Sequence, residues 1–165
     1  MTSLDAKQES AQSARATRAL VDIGRVLSLE PSLAAAFDRV VSILKTIVSA
    51  DRVVITSFDN DGKYLIDEHI SGVHIPGRTT EDVLPIAGTI SGYVKDHPEP
   101  LVHDESNYKE ILAQVPDMKV VIDAGFKSGV SCVLQSQERQ IGILHVRSLE
   151  PATYGNSEIT FISSV

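Results

Sequence analysis

The chain has 165 residues, 42% hydrophobic and 22% charged, with a formal net charge of −7 and one cysteine. This length is typical of one domain with its own core, and the acidic balance argues against a protein that binds nucleic-acid backbones or anionic membrane surfaces. One cysteine cannot form an intramolecular disulfide, no signal-peptide pattern opens the chain, and no apolar run approaches the roughly 18 residues of a membrane span, so a cytoplasmic location is expected.

Residues 4–29 are predicted to form a long helix. Four of its apolar residues are separated by four, three and four positions, a spacing near that of a two-helix coiled coil. We therefore predict an N-terminal signalling and dimerisation helix over residues 1–29, with a candidate interface of Ala16, Leu20, Ile23 and Leu27. The alternative is one apolar stripe that packs on the domain's own core. A second helix is expected from Pro31 to about Ser49.

The middle of the chain alternates strands, turns and short helices. The apolar runs VVITSF and YLIDEHI flank DNDG, which predicts a hairpin turn at Asp59–Gly62. The following VHIPGRTTEDVLPIA, with two prolines and a glycine, is predicted to be a loop. A short helix should run from Thr89 to about Asp96, before a short strand in PLVHDE. SNYKEILAQVPDMKVVIDAGF is predicted to be partly helical, with breaks at Pro116 and Gly125.

Two more strands and a helix are predicted at the end of the chain. SGVSCVLQSQERQIGILHVRS contains two apolar runs around four polar residues, which indicates a second hairpin. Asn156 or Ser157 can cap a final helix whose apolar face is still open at Val165, so we expect this helix to be truncated. Hairpins imply an antiparallel sheet, and strands that are apolar on both faces need helices on both sides. The expected fold class is therefore α+β.

This order of elements resembles the GAF domain, over about residues 30–165. The resemblance rests on GTISGYVKDHPEPLVHD, GFKSGVSCVLQSQERQIGILHVRS and YGNSEITFIS. In the family, a glycine-started helix leads to a strand ending in Asp, a later strand carries a glycine before an apolar run, and the last helix follows an aromatic and an acidic residue. The matching positions are Gly88, Asp104, Gly142, Tyr154 and Glu158.

The resemblance implies an antiparallel sheet of about six strands with the terminal helices on one face. A ligand pocket would lie between the other face and the short central helices and loops. It also implies a sensory, regulatory domain of a larger signal-transduction protein, often dimeric, linked to a histidine kinase, a cyclic-dinucleotide enzyme or a transcription activator. Residues that would line the pocket are Tyr93, His103, Tyr108, Phe126, Ser128 and Ser131. A ligand-free dimerisation or interaction module is the alternative.

Cys132 lies inside an apolar strand, where burial raises a thiol pKa and favours a structural role. His145 could face it if the last two strands pair, but no carboxylate can be assigned to orient the imidazole. The GAF-like reductases of free methionine sulfoxide use more than one cysteine, for attack and for resolution. We therefore expect that this chain is not an enzyme.

Known GAF cofactors match the sequence poorly. No two histidines have the short spacing of a metal site. The segment that would supply a haem ligand by the resemblance, NYKEILAQVPDMKVVIDAGFK, contains no histidine, and the bilin cysteine of the family lies on a central helix or loop rather than a strand. Asn107, Lys109 and Phe126 match the cyclic-nucleotide pattern only in part. Haem, bilin and cyclic nucleotide are therefore not expected, nor is a metal.

Overall fold

The computed structural model describes residues 3–80, 82–136 and 139–165. Within these residues, helices and strands follow one another as α1 (Ser3–Leu29), α2 (Leu33–Leu44), β1 (Arg52–Phe58), β2 (Tyr64–Gly72), β3 (Val83–Pro85), α3 (Ile90–Asp96), β4 (Leu101–Asp104), α4 (Tyr108–Gln114), α5 (Met118–Asp123), β5 (Ser128–Ser136), β6 (Arg139–Ser148) and α6 (Asn156–Ser163). Residues 137 and 138, in the predicted second hairpin turn, lie outside the described residues. Of the helices described, none combines the length and hydropathy that a membrane crossing requires.

The described strands form one six-stranded sheet in the order β3-β2-β1-β6-β5-β4, and every neighbouring pair is antiparallel. The predicted α+β fold with an antiparallel sheet is thus confirmed. One local prediction was wrong: the segment predicted to be a loop contains the edge strand β3, which pairs with β2. Pro85 within β3 cannot donate a backbone hydrogen bond, and edge strands tolerate such a residue.

The sheet separates two cores because successive side chains of a strand point to opposite faces. On one face, which we call the terminal-helix face, side chains of β1, β5 and β6 pack against α1, α2 and α6. Its strand residues are Val53, Ile55, Val130, Cys132, Leu144 and Val146. The other face packs against α3, α4 and α5. The core on this side includes Ile143 of β6, Val94 of α3 and Met118 of α5. This placement of the terminal and central helices confirms the predicted layer arrangement.

Helix α1 packs against its own domain along most of the predicted seam. Ile23 is 2% exposed within the single chain and belongs to the core of the terminal-helix face. Ala16 and Leu20 are partly buried against the same core. Leu27, in contrast, is 43% exposed. Ile23 therefore packs on the core of its own domain, as the alternative prediction expected. An interface between two chains through α1 stays a prediction.

The first hairpin turn and the start of α3 form as predicted, because nearby side chains accept hydrogen bonds from their backbone N–H groups. A carboxylate oxygen of Asp59 accepts hydrogen bonds from the backbone N–H groups of Lys63 (2.7 Å) and Tyr64 (2.9 Å) and closes the turn between β1 and β2. Thr89 is the N-cap of α3, and its hydroxyl accepts from the backbone N–H of Gly92 at 3.0 Å. These side chains satisfy donors that the turn and the helix start leave without a partner.

The last helix starts at a different cap from the two predicted ones. Gly155, rather than Asn156 or Ser157, is the N-cap of α6, with an extended backbone. The Glu158 carboxylate accepts a hydrogen bond from the Gly155 N–H at 3.1 Å. A carboxylate in the first turn also interacts favourably with the helix dipole. The acidic residue expected at this helix start thus provides its cap.

Candidate functional site

A cavity of about 30 Å³ lies between the sheet and the helices α3 and α5, on the face opposite the terminal helices. Its polar lining consists of Arg52, Arg78, Thr89, Ser91, Asp117, His145 and Arg147. Val54, Leu65, Ile90 and Val121 provide the apolar part. Such a volume holds one or two water molecules, whereas pockets for organic ligands usually enclose about 300–1,000 Å³. Only a very small ligand fits without a widening of the cavity.

The register of four strands aligns polar residues beneath this cavity. Arg52 of β1 is opposite Arg147 of β6, which is opposite Gly129 of β5, which in turn is opposite His103 of β4. Residues directly opposite one another in a sheet share a face. We call this alignment the polar row; Arg52, Arg147 and His103 provide its polar side chains, and Gly129 lies between Arg147 and His103. Polar groups therefore run across the centre of a sheet whose other face is covered by apolar side chains.

Two arginines of the polar row are almost completely buried. Arg52 is 1% exposed and Arg147 is 6% exposed. Arg52 donates through Nη1 to the carbonyl oxygen of Val73 at 2.6 Å and through Nη2 to that of Arg78 at 3.2 Å. Arg78 itself forms an ion pair with Asp117. These contacts tie the segment after β2 to the sheet and to the region of α5, where it borders the cavity.

His145 is a neutral, fixed member of the cavity lining. Its Nε2 is hydrogen-bonded to the Ser91 hydroxyl at 3.1 Å, and its Nδ1 is hydrogen-bonded to the Ser131 hydroxyl at 2.8 Å. Burial, with a further contribution from the nearby Arg147 charge, lowers the pKa of His145 well below 6.5. The imidazole thus links α3 to β5 without carrying a charge at neutral pH.

His103 is fully buried at the end of the polar row. Its ring lies against Gly129, where an added Cβ would be 2.9 Å from the His103 Nε2. Among the described residues, neither ring nitrogen has a hydrogen-bond partner. Burial, reinforced by the charge of Arg147, lowers the pKa of His103 to about 3. A buried polar group without a partner is costly, so this position is unusual for a purely structural residue.

None of the six residues predicted for the pocket lines the cavity directly. Ser131 and His103 come closest, Ser131 through its bond to His145 and His103 through the polar row. Ser128 and Ser131 are three residues apart, so strand alternation turns Ser128 toward the face away from the cavity. There the Ser128 hydroxyl donates to the Glu150 carbonyl oxygen at 2.7 Å. Whether any of the six contacts a ligand stays a prediction.

The three aromatic residues that were predicted to line the pocket pack against, or form hydrogen bonds with, other parts of the domain. Phe126 is buried among the side chains of the central helices. The Tyr108 hydroxyl donates to the Phe126 carbonyl oxygen at 2.8 Å and joins α4 to the segment before β5. The Tyr93 hydroxyl donates to the Gln114 side chain at 2.7 Å and joins α3 to α4. These residues hold the helices that cover the cavity.

Reasoning from the sequence missed the arginines, although a signal was present. Arg52 opens an apolar, β-branched strand, and Arg147 interrupts another. An arginine is rarely buried completely unless it has a partner. A charged residue within a run that is apolar on both faces therefore marks a position where the sheet meets a polar site.

Cys132 and His145 lie on opposite faces of the sheet, so the suggested thiol–imidazole neighbourhood was wrong. Cys132 is opposite Leu144, and it is Ser131 that is opposite His145. The thiol is buried on the terminal-helix face, 3.6 Å from the Ile162 carbonyl oxygen. Burial raises the pKa of Cys132 to about 12. The described residues also contain no group of three or more histidine, cysteine or acidic side chains that could hold a metal ion.

Cys132 is expected to react with iodoacetamide about three orders of magnitude more slowly in the folded protein than in urea, near pH 8. The reason is that only the thiolate reacts, and a pKa of about 12 leaves far less of it than an unfolded cysteine has. Mass spectrometry of timed samples measures both rates. Equal rates would contradict the buried position of the thiol.

No protein-family model and no curated protein sequence matches this chain. Solved structures do match. The GAF domain of a phosphoenolpyruvate-protein phosphotransferase from Coxiella burnetii superposes with a TM-score of 0.70 at 17% identity, over 92% of this chain and 88% of that one. The free methionine-R-sulfoxide reductase from Neisseria meningitidis gives 0.69 at 18% identity, over 90% and 81%.

A third similar structure is the GAF domain of a two-component sensor histidine kinase from Bacillus halodurans. Its TM-score is 0.64 at 15% identity, over 82% of this chain and 90% of that one. These superpositions cover 82% to 92% of this chain. The chain has the fold of a GAF domain.

Proposed function

We propose that this chain is a sensory, regulatory domain that binds a small molecule in the cavity beside the polar row. The observation that carries this proposal is the buried, charged lining of that cavity, with Arg52, Arg147 and His145 on the sheet beneath α3 and α5. Burial of charged and polar groups costs free energy, and a face that served only as a core would be filled with apolar side chains. Ligand binding gives these groups a function.

The ligand state would reach the rest of the protein through the sheet. Strands β1 and β6 carry Arg52 and Arg147 on the cavity face and Val53 and Val146 on the terminal-helix face. A ligand that binds one arrangement of these strands better than another shifts the population toward it. Coupling of about 1–3 kcal/mol is enough for a useful response.

The output is proposed to lie in a covalently linked domain. Similar structures come from a sensor histidine kinase and a phosphoenolpyruvate-protein phosphotransferase, which supports a regulatory role in a signalling protein, and we propose that this protein is cytoplasmic. We propose a homodimer through the terminal helices as the route to that domain. Catalysis is not part of the proposal, because the thiol of Cys132 is buried on the face away from the cavity.

A thermal-shift screen of small metabolites, followed by native mass spectrometry, tests the proposal. A specific ligand is expected to raise the melting temperature, because it binds only the folded state. Val121→Phe, which fills the cavity, should abolish the shift, while Val120→Phe on the exposed side of the same helix should keep it. Ile90→Phe provides a second cavity-filling variant if Val121→Phe does not fold. A shift that both filling variants retain would place the ligand elsewhere.

A ligand-free dimerisation module is the second candidate function. The small volume of the cavity favours it, as does the exposed apolar side chain of Leu27 on α1. Leu27→Glu would then abolish the dimer, while Leu29→Glu on the opposite side of the helix would not. Sedimentation velocity measures both. This candidate gains if no metabolite changes the melting temperature and Leu27→Glu yields monomers.

A further inference from the structure

We propose that the segment after β2, residues 73–80, is a strap that closes the cavity and opens while the rest of the domain stays folded. This inference rests on the proposed function in one respect, since it takes the opening as the route by which a small molecule enters. The closed cavity measures about 30 Å³, enough for one or two water molecules, so an organic ligand needs a wall that moves.

The strap forms part of the wall of the cavity. Its Arg78 lines the cavity together with Val54 and His145 of the sheet and Val121 of α5. The Arg78 side chain is also 20% exposed, so the wall is thin where this side chain lies. Displacement of the strap would remove Arg78 from the lining and open the cavity to solvent.

Polar contacts hold the strap at two points. Arg52 donates to the carbonyl oxygen of Val73 at 2.6 Å and to that of Arg78 at 3.2 Å. The Arg78 side chain forms an ion pair with Asp117, whose other carboxylate oxygen accepts a hydrogen bond from the Ile90 N–H at 3.3 Å. Water replaces hydrogen bonds and partly exposed ion pairs at a modest net cost. These contacts therefore fasten the strap without making its release as costly as unfolding.

The tip of the strap is a tight turn with one buried side chain. The Arg78 N–H donates to the Ile75 carbonyl oxygen at 3.1 Å, across Pro76 and Gly77. Gly77 has a φ of 72°, the left-handed value that the third position of a type II turn requires, and proline suits the second position. Of the described residues 73–80, Ile75 alone is buried, in the core of the central helices. The strap can thus swing out as one stiff unit that withdraws a single apolar anchor.

Iodoacetamide labelling of the thiol that Val54→Cys introduces measures the opening. Val54 is 2% exposed and lines the cavity, so a thiol there reacts only when the cavity opens. The ratio of its labelling rates in the folded and the urea-unfolded protein gives the open fraction. We expect this fraction to exceed the globally unfolded fraction, which urea unfolding gives, at least about tenfold. Equal fractions would mean that the cavity opens only when the whole domain unfolds and would overturn the proposal.

Two variants that break the ion pair, and one control, assign the opening to the strap. In the Val54→Cys background, Asp117→Asn and Arg78→Gln remove the pair from either side, and each should raise the open fraction at least about fivefold relative to global unfolding. Asp123→Asn breaks the exposed pair with Lys119 on α5 and should leave the open fraction unchanged. If one of the first two variants does not fold, the other decides. The same open fraction as in the control would contradict the proposal.

Hydrogen exchange followed by mass spectrometry provides a second readout that needs no added thiol. The backbone N–H of Val73 donates to the Asp51 carbonyl oxygen at 2.9 Å, and that of Arg78 donates within the turn. Both should exchange faster in Asp117→Asn and Arg78→Gln, while the N–H groups of β1 and β6 keep the rates of the parent. Exchange of the strap only together with β1 and β6 would show that it does not open by itself.

The labelling experiment uses no ligand, so its outcome separates this inference from the proposed function. If a metabolite binds in the cavity although the strap does not open by itself, the sensor proposal stands and the strap inference fails. If the strap opens but no metabolite changes the melting temperature, the strap inference stands and the sensor proposal fails.

Discussion

Between about pH 7 and about pH 5, the free energy of unfolding of this domain is expected to fall, by about 2 kcal/mol through His103 and by a further amount through His145. Both imidazoles are buried and neutral in the folded state, which holds their pKa values far below the ordinary 6.5. Urea unfolding followed by circular dichroism across this pH range measures the loss.

The sign follows from proton binding. Below the ordinary histidine pKa, an unfolded chain binds protons at these two residues, while the folded domain does not until near pH 3 for His103. Stability is therefore complete above about pH 6.5 and falls as the pH drops toward the folded-state value. The carboxyl groups of Asp59, Asp82 and Asp104 have lowered pKa values and titrate below this window.

His103→Leu isolates one of the two contributions. Between about pH 7 and about pH 5, the free energy of unfolding of this variant should fall by about 2 kcal/mol less than that of the parent, because one buried imidazole is gone. At neutral pH it should be at least as stable, since two buried nitrogen atoms without a partner among the described residues have been removed. His74→Gln, at an exposed position, is the control and should leave the pH dependence unchanged. If the free energy of unfolding of the parent does not change with pH over this range, neither histidine is buried away from water.

Local chemistry made much of the fold predictable. The turn after β1 follows from Asp59, whose side chain accepts two backbone hydrogen bonds, and the start of α3 follows from Thr89. Strand β3 escaped prediction because three residues that end in Pro85 show no alternation, and only the edge of β2 makes them a strand. Elements whose own side chains determine their conformation could be predicted. Strand β3, which is a strand only because it pairs with β2, could not.

The site depends on register, which a single sequence does not contain. The polar row joins residues of four strands, and a shift of one residue in any strand would move its member to the other face. His103 and Ser131 were expected near a pocket through the GAF resemblance, and they lie beside the cavity without lining it. Arg52 and Arg147 were overlooked because only the apolar members of their strands were considered.

Gly142→Ala is expected to destabilise the domain by at least about 3 kcal/mol, or to prevent folding, because the added methyl group collides with backbone rather than with a movable side chain. Gly142 lies in β6 opposite Ser57 of β1. A Cβ at this position would come closer to the Thr56 carbonyl oxygen than real Cβ atoms do, and within 3.3 Å of the Ser57 Cα. The glycine of the GAF resemblance thus allows the two central strands to approach.

Gly24→Ala is the matched control. Gly24 lies on the exposed side of α1 with no atom within 4 Å of an added Cβ, so the same methyl group should stabilise the helix by about 0.5–1 kcal/mol. Urea unfolding of both variants compares an identical chemical change in two surroundings. A loss below about 1 kcal/mol for Gly142→Ala would show that β1 and β6 can separate at little cost. The strands that carry Arg52 and Arg147 would then form a pliable cavity wall instead of a rigid one.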